Sequence, residues 1–223
     1  GGTNYDFRVN GSSVQNSGAP TYTTSALTDG HVVDVIVSNA GGCSTLSIGI
    51  ANTVLALPAA TISSSDADNS FCGGTSVTFT AGGLGTNFDF RVNGVSVQSG
   101  ASTAYTTTGL TNGQVVDVIV TNAGGCAATS SGITNAVLAL PVPTLTSSDA
   151  DNTFCTGTSV TFTAGGGSNY NFRVNGSSVQ NGASATYITS TLSNGEIVDV
   201  IVTNAGGCIG TSAWKTNTVN PFP

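Results

Sequence analysis

The residues able to do chemistry are few, and most recur at fixed steps. Cysteines stand at 43, 72, 126, 155 and 208; Cys43, Cys126 and Cys208 are 83 and 82 residues apart, and Cys72 and Cys155 are 83 apart. Arg8, Arg91 and Arg173 each precede an aspartate (Asp34, Asp117, Asp199) by 26 residues. The phrase SDADN occurs twice, presenting Asp66, Asp68 and Asn69, then Asp149, Asp151 and Asn152. These residue types permit disulfide formation, ion pairing and coordination of a hard cation by clustered oxygens.

Catalysis has no such repeated basis. His31 is the single histidine, and Gln114 and Glu196 take its place in the other copies of the phrase. There is no nucleophile elbow and no carboxylate pair placed over a cleft, so the chain is read as non-enzymatic. CxxC spacing is absent, which argues against zinc. With four basic residues in 223 and a net charge of −7, no surface can track phosphates, and nucleic acid is not an expected partner. The apolar runs are of strand length, too short for a membrane span in this segment.

The elements that must position these residues are β-strands. In TSVTFTA, Val77 and Phe79 alternate with Ser76, Thr78 and Thr80, the period of a strand with one buried face. In NFDFRVNG, Phe88, Phe90 and Val92 share one face, Asp89 and Arg91 the other. Asn93-Gly94 then supplies the positive-φ turn of a tight hairpin. In VVDVIV (115–120) an all-valine face points inward, so Asp117 points outward. About seven short strands per unit, with turns every 8–12 residues or so, predict an immunoglobulin-like sandwich. The fold class is therefore all-β: tandem immunoglobulin-like sandwiches arranged as a rod.

Repetition sets the boundaries. Pro58, Pro141 and Pro223 each follow the last strand of a unit, giving complete repeats over 58–140 and 141–223. Residues 1–57 form a partial repeat without the first strands, as expected for a window on a longer array. Within each repeat the arginine and aspartate fall on neighbouring strands. Cross-strand ion pairs Arg8–Asp34, Arg91–Asp117 and Arg173–Asp199 are predicted on the outer sheet face. An exposed pair contributes only about 0.2–1 kcal/mol, but a one-residue slip would push both charges into the core.

The cysteines admit two schemes, both suited to an oxidising compartment. Pairing within repeats joins Cys72 to Cys126 and Cys155 to Cys208, leaving Cys43. Pairing across boundaries joins Cys43 to Cys72 and Cys126 to Cys155, leaving Cys208. The start of the second strand and the end of the sixth lie at opposite ends of a sandwich, which counts against the first. The second must span two domains' worth of extended chain, which is worse, so the first is favoured, on the supposition that the segment around Cys72 folds back. For SDADN, calcium held by Asp66, Asp68, Asn69 and by Asp149, Asp151, Asn152 is one reading. An Asx-type turn is the other, and it has in its favour the scarcity of further carboxylates. No other cofactor is indicated.

The order of phrases DADN-x-FC-x-G-TSVTFTAGG, then FRVNG-x-SVQ, then VDVIVTNAGGC resembles the immunoglobulin-like repeats of very large secreted surface proteins of Bacteroidetes and related bacteria. That resemblance covers essentially the whole chain. It implies an extracellular, cell-surface location and a structural role in an adhesin stalk, surface fibre or filament, working by length, stiffness and multivalency. Copies of the chain or neighbouring filaments are then the expected partners. Carbohydrate-binding modules are the alternative, with glycans as partners, although most aromatic residues fall on inward positions. A non-catalytic spacer region of a secreted hydrolase is a third reading.

Overall fold

The computed structural model describes residues 2–223, and every regular element among them is a β-strand. The repeat 58–140 shows why. In Asn87–Val92 the aromatic side chains of Phe88 and Phe90 turn inward, and Phe90 has no exposure at all. Asn93 and Gly94 both take positive φ (50° and 79°), which matches the right-handed twist of a two-residue hairpin and returns the chain along Val95–Gly100. On the other side of Asn87–Val92 lies Val115–Thr121, whose Val116, Val118 and Val120 are fully buried. Ala127–Thr129 completes this sheet beyond it, with Ile133–Thr134 pairing further along the same strand.

The facing sheet has the order Ala104–Thr107, Val77–Gly82, Thr61–Ser64. Its inward residues Val77, Phe79 and Ala81 meet the phenylalanines and valines of the first sheet in one core. Tyr105 sits between the layers, its ring centroid 6.4 Å from Phe79 and 5.8 Å from Phe90. Burying each such side chain stabilises the sandwich by about 1.5–3 kcal/mol. The repeat 141–223 rebuilds the same two layers around Val160, Phe162, Phe172, Val198, Val200 and Val202. Together these are tandem β-sandwich domains. The described residues 2–57 supply a single five-stranded sheet, so Phe7, Val33, Val35 and Val37 are only half-buried.

Two departures from simple pairing shape each sandwich. The last strand is broken into Ala127–Thr129, Ile133–Thr134 and Ala136–Leu138. At the first break Ser130 donates its backbone N–H to Val118 O (2.9 Å) and accepts the Val118 N–H on Oγ (3.1 Å). A side chain thus stands in for the ladder, and Ser47 and Ser212 do the same for Val35 and Val200. The final piece, Ala136–Leu138, then pairs in parallel with the short strand Ser70–Cys72, matching Leu138 to Cys72. The sequence reading places Cys72 at the start of the second strand. It instead ends a separate short strand that precedes Val77–Gly82.

Candidate functional site

The position of Cys72 decides the disulfide. Parallel pairing with Leu138 carries it to the end of its domain where the chain leaves. The NAGGC turn, which joins Val115–Thr121 to Ala127–Thr129, lies at the opposite end, where the chain enters. Cys72 therefore faces the NAGGC turn of the following domain, and it is bonded to Cys208, 136 residues away. Neither sequence scheme contains this pair. Cys72–Cys126 and Cys155–Cys208 are replaced because the two cysteines of one domain sit at opposite ends of it. The alternatives Cys43–Cys72 and Cys126–Cys155 are not formed either, and Cys43, Cys126 and Cys155 are free thiols.

Around that disulfide the turn is seated on the preceding domain. Asn204 Oδ1 accepts the N–H groups of Gly206 and Cys208 (both 3.0 Å) and so shapes the turn, while its Nδ2 donates to Ala139 O at 2.8 Å. Gly206 lies close to the preceding domain: a Cβ there would stand 3.1 Å from Leu138 Cδ1, a tight contact to which the leucine side chain would have to yield. Gly210 lies against Pro141 and Pro143 of the linker in the same way. The earlier joint repeats the arrangement. Asn122 caps its turn through Gly124 and Cys126 and donates to Ala56 O at 2.8 Å, and Gly124 faces Leu55. Cys126 Sγ lies 3.9 Å from Leu55 O. Each asparagine thus holds its own turn and grips the domain before it. Sequence reasoning missed both, although the clue was present: NAGGC is spelled identically in all three repeats while the residues after it drift.

The ion pairs lie on the outer sheet face. Arg91 is directly opposite Asp117, and its Nε and Nη2 donate to the two carboxylate oxygens at 2.7 and 2.9 Å. Arg8 with Asp34 and Arg173 with Asp199 make the same two-point contact in register. Hydrogen bonding to the aspartate raises the pKa of each guanidinium, against a smaller lowering by desolvation. The arginines therefore stay charged throughout the physiological range, and the pairs act as register pins. Val115 and Ile119 beside Asp117 are half-buried within their own domain.

SDADN has the geometry of a turn. Asp66 Oδ1 and Asp68 Oδ1 both accept the Ser70 N–H, at 2.9 and 3.0 Å, and Asn69 takes φ 56°. Asp149 and Asp151 treat Thr153 identically, around Asn152 at φ 55°. The Asn69 carbonyl accepts the Ala136 N–H, which steers the chain out of one sheet and into the parallel strand ending at Cys72. Among the described residues no group of three or more His, Cys, Asp or Glu is arranged to hold a metal ion. His31 serves only its own loop. Its ring accepts the Thr28 N–H, as Gln114 does for Thr111 and Glu196 for Ser193. Any side-chain acceptor suffices there, which explains why three residue types share the position.

No protein-family model and no curated protein matches the chain. Among solved structures it is similar to the fibronectin(III)-like modules of Clostridium thermocellum CbhA, at 14% identity over 71% of this chain and 93% of that one, with a TM-score of 0.42. It is likewise similar to a D1–D4 ectodomain fragment of ICAM-5 (12% identity, 97% of this chain, 67% of that one, TM-score 0.46) and to murine CEACAM1b (13%, 72% and 100%, TM-score 0.35). No helix among the described residues is long and apolar enough to cross a membrane.

Proposed function

We propose that this chain is a non-catalytic structural repeat region of an extracellular adhesin, surface fibre or filament of a bacterial surface, in which folded domains are held end to end. The observation that carries this reading is the Cys72–Cys208 bond, which crosses a domain boundary and so ties neighbours together instead of bracing one core. Asn122 and Asn204 repeat the grip at successive joints. Such a disulfide suits an oxidising compartment outside the cytosol. Repetition would set length, the joint would set stiffness, and many copies would turn weak contacts into avidity.

A glycan array tests the reading against its main rival. A purely structural region shows no dose-dependent binding to any sugar, whereas saturable binding to one glycan class would favour carbohydrate-binding modules. The spacer reading would be favoured by a catalytic domain on the same polypeptide.

A further inference from the structure

Three outward positions of one sheet change together in one domain. Beside Arg173 and Asp199, Ile209 stands where the other repeats have Ala127 and Ser44, and Trp214 where they have Gly132 and Gly49. Asn171 replaces Asp89 and Asp6. We propose that this outer sheet face of residues 141–223 docks on the same face of a second copy of the chain, giving a two-fold dimer. The proposal adds a lateral contact to the end-to-end joints and stands on separate residues.

Strand pairing puts these side chains on the outer face. Asn171 lies opposite Ile201 and Ile209 opposite Thr203, in the row that alternates with the buried Val198, Val200 and Val202. Trp214 falls in the break between Ile209–Thr211 and Lys215–Thr216. At that place in the other repeats a Cβ on Gly132 would meet Val115, and one on Gly49 would meet Val32, the outward residues that match Ile197. Lys215 follows on the inward row, opposite Val198. Ile209 is 62% exposed and Trp214 68%. Domains before and after a repeat do not cover this face: the repeat 58–140 has folded chain on both sides of it, and its Ala127, Thr129 and Gly132 are still exposed.

The changes do not serve the domain itself. The repeat 58–140 builds the same sheet with alanine and glycine at the two apolar positions. Ser178 donates to Asn171 Oδ1 at 2.5 Å, as Ser96 does to Asp89 at 2.5 Å and Ser13 to Asp6, so the contact is kept and only the charge is lost. On the outward rows of these strands the remaining charges are Arg173 and Asp199, which cancel. The same face of 58–140 carries Asp89 in excess of its Arg91–Asp117 pair.

A second copy is the occupant these features select. A two-fold contact is self-complementary, which lets the Arg173–Asp199 pair of one copy lie head-to-tail on that of the other. On a chain of net charge −7, a face with a surplus carboxylate repels its own copy, and Asn171 removes that surplus. Trp214 and Ile209 supply the apolar anchors, tryptophan being a side chain enriched where binding energy concentrates. Strand spacing and rise give a sheet of about 20 Å by 20 Å, so face-to-face contact buries roughly 800 Å² in total. Stable complexes bury about 1,200–2,000 Å², so this dimer is weak and concentration-dependent.

The test is sedimentation equilibrium of the full chain from about 1 μM to about 1 mM, with free thiols alkylated. It is paired with the fluorescence of Trp214, the one tryptophan of the chain. A monomer–dimer equilibrium is expected, with indole emission moving to the blue as dimer accumulates. Trp214→Gly and Ile209→Ala install the residues of the 58–140 repeat, and each should raise the dimer Kd by about tenfold or more at an unchanged melting temperature. Asn171→Asp should weaken the dimer at low salt and lose that effect at high salt, because like charges across the axis are screened. Chains that stay monomeric, dimers whose emission does not move, or dimers indifferent to Trp214→Gly would overturn the proposal. An emission shift on adding a sugar to a chain that stays monomeric would overturn it too, giving the face to a carbohydrate. The joint between domains is unaffected by the first three results, since it stands on Cys72–Cys208.

Discussion

Single side chains in this protein act mostly on backbone. Ser130 closes a break in its own strand by accepting the buried Val118 N–H. Ser130→Ala leaves that donor without a partner and is expected to cost about 1–3 kcal/mol in urea denaturation. Arg91→Met should cost less, about 1 kcal/mol at most, because the ion pair is at the surface and its value lies in register. Phe90→Ala removes a fully buried ring and should cost about 3–5 kcal/mol, while Phe7→Ala, in the single sheet of residues 1–57, should cost clearly less. The inward valines and the Arg91–Asp117 pairing were legible in the sequence because a strand has period two and its register follows from its hydrophobic face. Ser130 and Asn204 were not, since one small polar residue in a loop has the same sequence signature whether or not its partner is distant.

At the level of elements, SDADN and NAGGC are the two turns that matter. The carboxylates of Asp66 and Asp68 converge on one backbone N–H, so EDTA is expected to leave the melting temperature unchanged. A calcium-dependent rise of several degrees would instead return the motif to metal binding. The sequence misplaced Cys72 for a physical reason. Parallel pairing of Ser70–Cys72 with Ala136–Leu138 joins segments far apart in the chain, and no local pattern announces it. With that strand unrecognised, the favoured scheme supposed that Cys72 folds back toward Cys126, whereas the parallel pairing holds it at the far end, within reach of Cys208 of the next domain. Cys208→Ser should lower stability by about 2–4 kcal/mol. In calorimetry it should also resolve one coupled transition into separate melting of the 58–140 and 141–223 domains.

For the molecule as a whole, the consequence of a bond between domains is mechanical. Residues between Cys72 and Cys208 lie inside a covalent loop, so a pull on the chain ends cannot extend them. Stretching single molecules should release about 450–490 Å more contour length after reduction, the span of 136 residues at about 3.3–3.6 Å each. Equal lengths before and after reduction would mean that the bond does not carry load. The tandem architecture was legible from the repeat alone, but the joint was not, because it depends on how one domain's exit meets the next domain's entry. The most direct test of the account is therefore a peptide map of the non-reduced monomer. It should show one cross-linked peptide joining Cys72 to Cys208, with Cys43, Cys126 and Cys155 alkylated as free thiols. A map showing Cys72–Cys126 or Cys155–Cys208 would place the disulfides inside domains and contradict it.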